Sequence, residues 1–180
     1  MRLLLILPLL CMLAGCATTS RSGSAVEYHF SDTYALVAAT DMRVFIELRS
    51  YDHDQVLDSV VLSSRYMPPE FEAMDAGARG PEFIVRTRGG GTGLAETHVA
   101  LYGIIGQHIR RFGDFVVARL SQGPDYEEEL SGDVSFPKEG ELVYRYKQVV
   151  TQDGKTVTNS VTEFYSFDTK KAEYEKTKKP

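Results

Sequence analysis

The chain has 180 residues, 25 acidic against 20 basic side chains and a formal charge of −5, which argues against nucleic acid as a partner. It contains no tryptophan, but ten tyrosines and nine phenylalanines, a composition for a folded body rather than a disordered one. Its two cysteines, Cys11 and Cys16, both lie at the start, so the rest of the chain has no thiol for a disulfide, a thiolate metal ligand or a cysteine nucleophile.

The first segment reads MRLLLILPLLCMLAGC, with Arg2 the only charge before residue 21. The apolar run suits a signal peptide; a spanning helix needs about 20 apolar residues, and Pro8 interrupts this one. Leu13-Ala14-Gly15-Cys16 resembles the lipobox of bacterial lipoproteins, with all four positions matching. The resemblance covers these first sixteen residues alone. It implies cleavage before Cys16 and transfer of a diacylglyceryl group to its thiolate. Two or three acyl chains on one residue make membrane attachment effectively lasting, at about 0.8 kcal/mol per buried methylene. Ala17 is not the aspartate associated in that family with inner-membrane retention, which favours an outer membrane facing the periplasm. Residues 1–15 are thus the expected signal peptide. Their removal takes away Arg2 and leaves one domain's worth of chain, one unit more negative.

Residues 16–25 read as the lipidated cysteine and a flexible tether of small polar residues. A single β-rich domain is expected over 26–168. Residues 42–49 form a strand candidate, with Val44, Ile46 and Leu48 on one face. Residues 55–63 fit a helical stripe and a strand alike; the strand is preferred. Residues 68–74, PPEFEAM, read as a short helix, with Pro69 in the first turn, acids at its positive end and Gly77 to stop it.

Residues 82–88 read as a strand and 89–93 as a mobile glycine loop. Arg86, Arg88 and these glycines invite a phosphate-loop reading. The lysine–hydroxyl ending is missing, however, the dinucleotide spacing fails at Leu94 and Glu96, and a strand follows where a helix is needed. Residues 96–105 are apolar on both faces, as in a central, covered strand. After a turn at Gly106-Gln107, residues 112–120 return with Phe112, Val116, Ala118 and Leu120 on one face. That turn sets His98 opposite Phe115, so His98 and His108 need not meet. The acidic stretch 123–129, with Asp133, lacks the ordered spacing of a calcium hand and reads as a solvated loop. Tyr51-Asp52-His53-Asp54 is a polar loop rather than a completed metal set.

The strongest structural signal is the hairpin over 141–167. Asp153-Gly154 demands a type I′ turn and pairs positions whose numbers sum to 307. Leu142, Tyr144, Tyr146 and Val150 then share a face with Val157, Val161 and Tyr165, and Arg145, Lys147 and a run of hydroxyls share the other. Residues 169–180 hold five lysines and read as a solvated basic tail, with hovering over anionic lipid as the alternative.

The expected fold is all-β, mainly an antiparallel meander closed as a small barrel or folded as a sandwich, with one short helix and the N-terminal tether. No G-x-S-x-G elbow, internal repeat or cofactor motif is present, so neither catalysis nor a cofactor is expected. The expected role is a non-catalytic module, anchored to membrane through Cys16, that holds an envelope protein. The alternative is a carrier of a lipid-like ligand, with Tyr144, Tyr146 and Tyr165 as candidate contacts. The tryptophan near the start of lipocalin-type barrels is absent.

Overall fold

The computed structural model describes residues 26–30, 33–40, 42–52, 55–75 and 81–178. The expected signal peptide, Leu13, Ala14, Gly15, Cys16 and the tether lie outside these residues. The described chain is entirely β-strand and turn, in two antiparallel meanders. The first sheet runs β1 (Val26–Phe30), β2 (Thr33–Thr40), β3 (Arg43–Ser50), β4 (Val56–Ser63) in sequence order. The second runs β5 (Glu70–Asp75), β6 (Pro81–Gly91), β7 (Leu94–Ile105), β8 (His108–Gly123), β9 (Tyr126–Ser135), β10 (Glu141–Gln152), β11 (Lys155–Asp168), β12 (Glu173–Thr177). No helix among the described residues is long and apolar enough to cross a membrane.

The sheets pack face to face. Ala35 and Val37 of β2 and Val44, Ile46 and Leu48 of β3 are fully buried against Phe83, Val85, Ala100, Tyr102, Ile104 and Ile109 of the larger sheet. A second core, with Val99, Leu101, Phe112, Phe115, Val117, Leu142 and Tyr144, fills the other face of the larger sheet. Residues 99–104 of β7 are therefore buried on both sides, as their unbroken apolar run predicts. The larger sheet supplies its own cover for the second core by curling. In sheet order β12 and β6 stand six spacings apart, about 29 Å if flat; yet the Tyr174 hydroxyl on β12 reaches Glu82 Oε2 on β6 at 3.4 Å. The barrel-or-sandwich alternative resolves as a sandwich with one curled sheet.

The hairpin register is as the turn dictates, from Gln152 opposite Lys155 to Leu142 opposite Tyr165. Asp153 and Gly154 both have positive φ, 50° and 71°, the left-handed pair that a type I′ turn requires. The core face stops short of the turn, however. Val157 is 56% exposed, and β12, which pairs β11 only at Phe164–Asp168, does not reach that end.

Other expectations need correction. The predicted helix at 68–74 is instead edge strand β5, where Phe71 packs on the first core and Glu70 and Glu72 face solvent. Pairing along β6 outweighs the local helix signals, and Glu70 faces Arg86 across the ladder. Residues 56–63 are strand β4, and a register shift at Leu48/Arg49 leaves Leu57 as an extra residue. That bulge puts Leu57 and Val60 both against the core, which is why the stretch mimics a helical stripe. The glycine loop is no loop: Gly89, Gly90 and Gly91 pair with Glu96, Ala95 and Leu94, leaving only a Thr92-Gly93 turn.

In β8, two bulges leave Phe112 and Val117 unpaired. They hand the core positions to Phe112, Phe115 and Val117, while Ala118 and Leu120 face solvent and His98 sits opposite Val116 rather than Phe115. The acidic stretch is a Pro124-Asp125 turn running into β9. The basic tail contains β12, pinned by buried Tyr174 between Phe136 and Phe167.

Candidate functional site

The concave face of the curled sheet holds an open cleft of about 440 Å³, built by β8 to β12. It gathers the three tyrosines picked out by the hairpin register: Tyr144, Tyr146 and Tyr165. Tyr144 and Tyr146 lie two apart on β10, so they point the same way, with ring centroids 4.9 Å apart. Phe115 braces Tyr144 at 5.3 Å and meets Tyr165 edge-on at 5.3 Å and 85°. Tyr174, from the strand the sequence conceals in its basic tail, also borders the cleft.

Gly132 on β9 lies opposite Tyr146, and a Cβ there would stand 2.9 Å from the Tyr146 Cβ and 2.6 Å from the Arg145 carbonyl oxygen. Gly132→Val is therefore expected to force β9 and β10 apart at the cleft and cost about 1–3 kcal/mol. Urea unfolding followed by circular dichroism measures this; a midpoint at the wild-type value would refute the close approach.

Hydrogen bonds fix the phenols. The Tyr144 hydroxyl donates to the Val116 carbonyl. Burial, with Tyr146 and Glu163 nearby, pushes its pKa up to about 12. The Tyr165 hydroxyl donates to Glu163 Oε2 at 2.5 Å, and burial together with that carboxylate raises its pKa too. Both phenols stay protonated at neutral pH. Glu163 holds its charge: burial pulls its pKa up, but bonds from Lys176 Nζ (2.5 Å to Oε1) and Tyr165 outweigh it and leave it lowered.

The other side of the cleft is a charged ladder across four strands. Arg119 on β8 donates from Nε to Glu96 Oε1 at 2.7 Å and from Nη1 to Glu128 Oε1 at 3.4 Å. Glu128, nearly buried, also accepts from Gln148 Nε2 at 2.7 Å and from the Tyr126 hydroxyl at 2.8 Å. The ladder continues through His98, whose Nε2 lies 3.3 Å from Glu96 and Nδ1 3.1 Å from Asp114. Burial works against the protonated His98, but the hydrogen bonds to Asp114 and Glu96 outweigh it and raise its pKa. Arg111 Nη1 reaches the second Asp114 oxygen at 3.3 Å.

The remaining sequence candidates do not converge. Arg86 leans toward Glu70 at 3.9 Å and the Arg88 guanidinium toward Met67, away from any shared anion cradle. Tyr51 stacks on His29 with centroids 5.5 Å apart, while His53 and Asp54 lie outside the described residues. His108 is 3.5 Å from Asp58, far along the sheet from His98. Asp58 caps the start of β8 by accepting the Ile109 N–H at 2.8 Å, the main cause of its lowered pKa. Among the described residues no group of three or more histidines, cysteines, aspartates or glutamates stands placed to hold a metal ion.

Sequence reasoning missed Glu163, Arg119, Gln148, Glu128 and Glu96. For two of them a signal existed: the sum-to-307 register that turns Tyr144 inward sets Glu163 opposite it, and Gln148 is two residues beyond Tyr146. No family model, no curated protein and no solved structure matches the chain.

Proposed function

We propose that this chain is a lipid-anchored cell-envelope protein, tethered through acyl chains on Cys16, most simply in an outer membrane with its body facing the periplasm. Its β-rich body is a non-catalytic binding module. The anchor rests on the Leu13-Ala14-Gly15-Cys16 sequence. The binding role rests on one observation, the open, tyrosine-walled cleft on the concave face of the large sheet. The non-catalytic reading draws on the pairing around that cleft. Both His98 nitrogens are taken by carboxylates and the Tyr144 and Tyr165 phenols are held protonated.

The carrier alternative gains from the aromatic wall and loses from the charged groups on the same surface, Asp114, Arg119 and Glu163. Burying those against an alkyl chain strips them of water without return. Native mass spectrometry of the detergent-extracted chain, expressed in a bacterium that matures lipoproteins, tests both parts. The anchor predicts a chain beginning at Cys16 with added acyl mass, and a Cys16→Ser variant that leaves the membrane fraction. An unacylated chain in the membrane fraction overturns it. A co-isolated protein bound at the cleft supports the interaction module, whereas a co-isolated lipid supports the carrier.

A further inference from the structure

We propose that the cleft binds a neutral saccharide, stacked on Tyr146 and hydrogen-bonded by Gln148 and Arg119. The inference deepens the reading of this cleft as the binding site and rests on it. It comes from asking which chemistries the surface refuses. An anion needs uncommitted positive charge, yet the cationic Arg119 is flanked by Glu96 and Glu128 at 2.7 and 3.4 Å. A cation needs uncommitted negative charge, yet Glu163 is matched by Lys176 and Asp114 by His98 and Arg111. An extended peptide binds most simply by adding a strand, but on the stretch of β8 that borders the cleft beyond its pairing with β9, Gly113–Val116, the Val116 carbonyl is already taken by the Tyr144 hydroxyl. An alkyl chain would desolvate the charged rim.

What the surface offers is aromatic faces beside unused hydrogen-bonding capacity. Tyr146 is half-buried, borders the cleft, and its hydroxyl has no partner among the described residues. Gln148 spends its amide Nε2 on Glu128, which orients the side chain and leaves Oε1 as an acceptor. Arg119 spends Nε and Nη1 on the two glutamates and leaves Nη2 as a donor. These groups sit at or beside a cleft whose volume lies in the range of small-ligand sites, about 300–1,000 Å³. A sugar ring, with an apolar C–H face and hydroxyls that donate and accept around its edge, matches that pairing of aromatic wall and planar polar groups. The charged partners lock the polar groups in place before binding, so little side-chain freedom is lost.

The test uses the full chain in a detergent without a sugar headgroup. With no tryptophan and ten tyrosines, intrinsic tyrosine fluorescence reports directly. The probes are the neutral trisaccharides of β-1,4-linked N-acetylglucosamine and of α-1,4-linked glucose, with inorganic phosphate as the charged comparison. One trisaccharide is expected to bind saturably, with little dependence on salt and no competition by phosphate. Tyr146→Ala should weaken binding about tenfold. Tyr146→Phe, which keeps the ring and therefore the fold, should weaken it a few-fold. Unfolding midpoints of both variants show whether they are folded. No binding of either trisaccharide up to about 10 mM by the folded wild type, or binding untouched in both variants, overturns the proposal. If sugar fails while a co-isolated protein is lost on Tyr146→Ala, the saccharide inference falls and the cleft stands as a binding site. If that protein is retained in the variant, both fall.

Discussion

Phe83→Ala is expected to destabilise the protein by about 3–5 kcal/mol, the cost of emptying a large, fully buried aromatic site. A domain of this size is stable by only about 5–15 kcal/mol, so the variant should be partly unfolded at modest temperature. Phe83 sits on β6 opposite Tyr102 of β7 and faces the layer of Val37, Val44, Ile46 and Leu48 from the small sheet. Its removal therefore tests the packing of one sheet on the other, not the pairing within either. Val157→Ala is the matched control. The same kind of alternation argument assigns Val157 to a core face, but the side chain is 56% exposed, so its truncation should stay within about 0.5 kcal/mol of wild type. Urea unfolding monitored by circular dichroism and tyrosine fluorescence gives both values. A Phe83→Ala cost below 1 kcal/mol would contradict the two-layer arrangement.

The contrast between these two residues shows what the sequence carries and what it does not. Local rules reach far where chemistry is local: Asp153-Gly154 dictates one turn, the turn dictates a register, and the register brings Tyr144, Tyr146 and Tyr165 to one face. The two-sided apolar run in β7 likewise announces a strand covered on both faces. Neither signal says where the cover ends, because that is set by the curl of the sheet and by β12. The tail strand hides because five lysines dominate its composition, while one aromatic, Tyr174, supplies its anchoring. The β5 error has the same origin: Pro69, the acids and Gly77 are honest helix signals, overruled by an unpaired edge of β6 that no local window contains. Bulges are the third gap. Single extra residues at Leu57 and Phe112 reverse the alternation downstream, so that Phe115 rather than Val116 enters the core, and a second extra residue in β8, Val117, reverses it back. The polar half of the cleft depends on these displaced registers: Glu96 meets Arg119 only after both β8 bulges have shifted the ladder.

That ladder leads to the second large effect. Arg119→Met is expected to cost about 2 kcal/mol at neutral pH. This is below the 3–5 kcal/mol of a dry ion pair broken on one side, because Arg119 keeps about a third of its side-chain surface in water. The cost should fade in acid, and the sign follows from the two carboxylates it bridges. Burial pulls Glu96 upward, but hydrogen bonds from Arg119 and His98 outweigh it and hold its pKa below the ordinary 4.5. Glu128 is held below 4.5 first by Gln148, then by Tyr126 and Arg119 against burial. A carboxylate whose pKa is lower in the folded state contributes stability that is present above its unfolded pKa and lost as pH falls through its folded one. Without Arg119, Glu96 keeps only His98 and Glu128 only Gln148 and Tyr126, while the burial of both remains, so both pKa values rise. The variant therefore shows its full penalty only above the pH at which its own raised Glu96 and Glu128 titrate, where two part-buried charges face each other uncompensated. Below that pH, as protonation removes the charge that Arg119 had balanced, the wild-type and variant stabilities converge. His98 does not mimic this trend: its raised pKa contributes stability in acid that is lost as pH rises past the ordinary 6.5, in wild type and variant alike. Unfolding free energies of the two chains from pH 3 to 8 decide the matter. A gap that stays constant across the acid limb would mean that Arg119 acts through packing, and that the Glu96–Arg119–Glu128 ladder carries no electrostatic weight.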